Sequence, residues 1–81
     1  MGAVSGDGFP PALDALVDQL AAAVRDVLDA HGMVAAEEPA RTALRVAALG
    51  LCGWSHDARL RPEELAVTVC VARALARAAG V

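Results

Sequence analysis

Lysine, isoleucine, asparagine and tyrosine are absent from these 81 residues, and aromatic side chains make up 2% of them. Without lysine, all seven cations are arginine, set against ten carboxylates for a net charge of −3. Phosphate recognition depends on clustered Lys and Arg, so this balance argues against nucleic acid as the main partner and against an anionic membrane surface. The two cysteines, Cys52 and Cys70, are too few for a disulfide framework and are expected to be reduced. The longest stretch without a charged side chain runs only from Val46 to His56, short of the ~20 residues that span a bilayer. The start lacks a basic segment followed by an apolar one, so no signal peptide is expected. A cytoplasmic protein is the resulting expectation. The missing residue types are those with A/T-rich codons, so a GC-rich bacterial genome is the expected source, which carries no functional weight.

What is present is alanine, at 20 of 81 positions, within an apolar total of 57%. Alanine is the best helix former, because it loses no side-chain entropy in a helix. It also lets helices approach closely while burying little area each. The length allows one small domain.

Residues 1–11 read as a flexible leader, rich in Gly and Pro, with Phe9 stapled back onto the first helix. Residues 12–81 then form one all-α domain, a three-helix up-down-up bundle. A first helix is predicted from Pro11 to His31: Leu13, Val17, Leu20, Val24, Val27 and His31 alternate at spacings of four and three, with Leu16 and Leu28 widening the stripe. Gly32 suits the position just past its end. A second is predicted from Glu38 to Cys52, with Pro39 in its first turn, Glu37 and Glu38 at its positive end, and Gly53 as its stop. Residues 54–61 read as an eight-residue polar connector. A third is predicted from Pro62 to Gly80. Its β-branched run, Val67 to Val71, could pass for a strand, but a single strand has no partner here. Glu63, Ala66, Cys70, Arg73 and Arg77 share its polar stripe, leaving Leu65, Val69, Ala72, Leu75 and Ala79 for the core.

Helices two and three carry more apolar surface than one core stripe uses. Val46 with Leu49, and Val67 with Val71, lie off the assigned seams, and exposed apolar patches mark interfaces. A homodimer is expected, or a larger protein partner, with Trp54 as an anchor or a cap on the core end. Arg41 with Arg45, and Arg73 with Arg77, stand four apart; they read as a solvated face or as a stripe for docking an anion or an acidic partner.

Chemistry finds less support. His31, Cys52, His56 and Cys70 have the composition of a structural zinc site. In the expected bundle His31 and Cys52 stand at opposite poles, about 20 Å apart at 1.5 Å per residue, and Gly53 breaks the alignment of Cys52 with His56. No metal site and no cofactor are therefore expected. Ser55, His56 and Asp57 are adjacent and cannot take the through-space geometry of a catalytic triad; they read as turn formers. Gly50 and Gly53 lack the spacing and the lysine of a phosphate loop. The leading expectation is a non-catalytic helical interaction module, a dimerising adaptor or regulatory subunit. The alternatives are a ligand- or metal-binding protein using Cys52, Trp54 and His56, and a DNA-binding regulator, which the long connector argues against.

Overall fold

The computed structural model describes residues 10–80, which form three α-helices: α1, Pro11–Ala30; α2, Ala40–Asp57; and α3, Pro62–Ala78. No strand occurs among the described residues, and Val67 to Val71 lie within α3. No helix among these residues is long and apolar enough to cross a membrane. The leader reading and the Phe9 staple lie outside the described residues.

α1 begins on Pro11, whose missing N–H costs nothing in the first turn. It ends as its glycine requires. Gly32 takes φ +79, its N–H donates to Asp29 O at 3.0 Å, and the Met33 N–H donates to Leu28 O at 2.9 Å. This pair of bonds satisfies two carbonyls left over at the helix end, and only glycine adopts that φ without strain. Gly32→Ala is expected to lower stability by about 1 kcal/mol, read as a lower urea midpoint.

α2 departs from its predicted bounds at both ends. Pro39 precedes the helix, and the Glu38 carboxylate accepts hydrogen bonds from the Thr42 N–H and hydroxyl, placing its charge at the positive end. At the other end the helix passes through Gly53 and reaches Asp57. Among the described residues only Gly32 and Gly80 take positive φ, so Gly50 and Gly53 remain right-handed. A mid-helix glycine weakens a helix by about 1 kcal/mol without terminating it. The connector therefore shrinks to residues 58–61. α3 then starts on Pro62, with the Arg61 backbone N–H donating to the Glu64 carboxylate at 2.9 Å.

α3 is the central element. It packs against both α1 and α2, while no Cα of α1 comes within 8 Å of one in α2. The described residues accordingly make an open slab, 38 × 32 × 18 Å, in which α1 and α2 share no seam. The core is built of small side chains. Val17, Ala21, Ala35, Cys70, Ala74 and Ala78 form its buried cluster, with Leu13, Leu20, Val24, Leu28 and Leu44 packed around it.

Having two neighbours redistributes the residues of α3. Cys70, assigned by the sequence to a polar stripe, is buried under α1, and Leu65, assigned to the core, is exposed. The error has one cause: a helix clasped on two sides has two buried faces, and a single-stripe reading allows only one. Val27, read as part of the α1 seam, is also largely exposed.

Candidate functional site

α2 and α3, joined by residues 58–61, pack against each other as a pair. Arg45, Ala48, Leu49 and Cys52 of α2 and Ala72, Arg73 and Ala76 of α3 line a shallow, mostly apolar groove of about 250 Å³ between them. The residues that turn α2 toward α3 recur at Ala40, Leu44, Ala48, Leu51 and Ser55, all buried or half-buried. The rest of the helix faces outward, and beside its charged residues it carries large apolar ones. Val46 is 62% exposed, Leu49 72% and Trp54 54%; on α3, Val67 is 60% exposed. Val71 is half-buried.

Helical register divides these five residues into two surfaces. Leu49 lines the groove, on the side of α3 that carries Arg73 and Ala76. At 3.6 residues per turn, Val67 and Val71 point nearly opposite to that side. Trp54 stands roughly 140° around α2 from Leu49, on the same side of the α2–α3 pair as the two valines. Val46 sits at the outer edge, next to Leu49. The apolar excess is thus an edge and groove on one side and a Trp54–Val67–Val71 surface on the other.

Two glycines sit on the outer part of α2. For both Gly50 and Gly53, no atom lies within 4 Å of where a Cβ would stand. Nothing among the described residues explains why a helix-weakening residue occupies either position. Sequence reading took Gly53 as a stop, because glycine is common just past helix ends. The next proline, at 62, marks the boundary better.

The continuation of α2 changes the standing of Cys52 and His56. Four residues apart on an unbroken helix, they lie one turn apart on the same face as Arg45 and Leu49. Both are exposed. The other two residues of the zinc composition are elsewhere. Cys70 is 1% exposed in the core, and the exposed His31 donates its Nδ1–H to Val27 O at 2.9 Å at the end of α1. No group of three or more potential metal ligands occurs among the described residues. The Ser55 hydroxyl donates to Cys52 O at 2.9 Å, so Ser55 is a backbone-bonded helix residue and not part of a turn.

The arginines also separate. Arg41 and Arg45 are exposed one turn apart on α2, and Arg73 is half-buried beside the groove. Arg77 is engaged within the chain: Nη1 donates to Asp18 at 2.6 Å and Nη2 to Asp14 at 3.1 Å, clamping α3 to α1. The hydrogen bonds to Asp18 and then Asp14 hold its guanidinium pKa above the ordinary value, so it stays charged at any working pH. A clamp this exposed contributes at most about 1 kcal/mol.

The four-residue connector has the length found in helix-turn-helix motifs, so the argument against DNA binding from a long connector does not hold. A different one replaces it. The second helix of such a motif enters the major groove, whereas α3 is packed against both α1 and α2.

Compared with protein-family models, curated proteins and solved structures, the chain matches no family, no protein and no structure.

Proposed function

We propose that this chain is a small non-catalytic interaction module that pairs with a second copy of itself along the outer edge of α2. The observation that carries the reading is the exposure of Val46 and Leu49 on adjoining positions of one helix, 62% and 72%. A largely exposed leucine alone means little, since every protein surface is partly apolar. Here it adjoins Val46 and an apolar groove, and two glycines keep the helix surface low beside it. Low relief allows close helix–helix approach, and the neighbouring apolar side chains supply burial.

Pairing by a two-fold axis is the simplest closed arrangement, because one patch serves both partners. In it each chain keeps its up-down-up order of helices and the α2 edges form the seam of a larger helical assembly. Arg41 and Arg45 flank that seam at its polar rim, where charge steers association more than it holds it. A cytoplasmic adaptor or regulatory subunit is the role that suits a module with this much exposed apolar surface.

Light scattering over a concentration series tests the reading. The expected mass rises from 8.2 kDa toward twice that value as concentration increases. A constant 8.2 kDa at high micromolar concentration refutes self-pairing.

A further inference from the structure

The geometry points to a metal site that a single chain only half contains: Cys52 and His56 of α2, joined by the same pair from a second copy, form a Cys2His2 zinc site on the two-fold axis. The inference rests on the self-pairing reading and adds a ligand to it.

Three observations converge on this placement. First, α2 runs unbroken through Gly53, so Cys52 and His56 present a thiol and an imidazole from consecutive turns of one face. Second, both side chains are exposed, and neither has a hydrogen-bond partner among the described residues, so both are available to an outside group. Third, Gly53 flanks that face, about 60° around the helix from His56 and about 100° from Cys52, and a Cβ there would meet nothing outside its own helix, so the surface beside the pair is low. Bonds of ~2.3 Å to sulfur and ~2.0 Å to nitrogen require the two helix backbones to come close. A two-fold axis passing over the Cys52–His56 face, with the low surface of Gly53 to one side, allows that approach, and it brings two thiols and two imidazoles to one point. One copy supplies two donors, too few to hold zinc; two copies supply the four of a closed tetrahedral site.

The charges balance. Each Cys52 thiol must lose its proton to bind, and each imidazole binds in its neutral form. Zn2+ with two thiolates and two neutral imidazoles is uncharged, and two protons leave for each zinc bound. An uncharged centre adds no net charge to a face that already carries Arg45 and Arg73 beside Leu49.

The experiment titrates Zn2+ into the full, reduced chain in a non-chelating reductant, measuring bound zinc, molecular mass and released protons together. The expected result is one zinc per two chains, a mass of twice 8.2 kDa, and release of protons as zinc binds. Cys52→Ser and His56→Asn are each expected to lose stoichiometric zinc while keeping their helix content, because both positions are exposed. Replacing zinc by Co2+ is expected to give the strong visible absorption of a tetrahedral thiolate site.

Failure separates cleanly. If the chain pairs in a metal chelator and takes up no zinc, the metal site is wrong and self-pairing stands. If mass stays at 8.2 kDa with and without zinc, both are wrong. Zinc bound one per chain, or bound equally by the two variants, overturns the shared site. A Cys52–Cys52 disulfide formed on air oxidation without zinc uptake by the reduced chain also overturns it, while showing the two edges adjacent.

Discussion

The double variant Val46→Glu, Leu49→Glu is expected to remain helical and to stay at 8.2 kDa at concentrations where the parent chain pairs. Both side chains are largely exposed, so glutamate meets water in the single chain and folding is spared. Glutamate also favours helix over valine. In a paired edge the same substitutions bury four carboxylates per dimer against apolar side chains and one another, which is prohibitive unless they pair. Central interface side chains cost ~2 kcal/mol or more when truncated, so two charged replacements are expected to weaken pairing at least about 100-fold. The control is Val67→Glu, which lies on the other side of α3. It is expected to leave the mass unchanged. If Val67→Glu separates the copies and the double variant does not, the interface is the Trp54–Val67–Val71 surface instead.

The second large effect is expected in the core. Val17 is completely buried and, with Cys70, is the largest side chain that is. Val17→Ala should cost about 2–3 kcal/mol, from lost transfer energy and the cavity left behind. That is a large share of the stability of a domain this small. Val27→Ala removes the same atoms from the same helix at a position 59% exposed. It should change stability by under about 0.5 kcal/mol. Urea unfolding followed by circular dichroism measures both, as midpoints at unchanged slope. Equal costs would refute the packing described for α1.

That pair of valines shows where sequence reading succeeds and stops. The alternation from Leu13 to His31 located α1 to within a residue, because Pro11 and Gly32 mark its ends chemically. It also placed Val17 and Val27 on one seam, since a stripe assumes a straight core running the helix's full length. α1 instead buries a narrower strip against α3, and Val27 falls outside it. Gly53 misled for a related reason. Its identity suggests an end, but only its backbone dihedral decides, and that depends on the residues beyond it. The outward apolar positions on α2 were legible because too many apolar residues competed for one face. Their division into two surfaces was not, because it depends on how far α2 is rotated against α3, which no single-helix pattern contains. The alignment of Cys52 with His56 was hidden by the same misplaced helix end.

The two thiols of this chain stand in very different relation to the solvent. Cys52 lies open on α2, whereas Cys70 is sealed between α3 and a first helix that has no other helix to hold it. Lifting that one helix is enough to bathe the second sulfur in water while α2 and α3 stay packed together. A thiol-modifying reagent would therefore register two clocks in one molecule, a fast one set by its own chemistry and a slow one set by how often the first helix lets go.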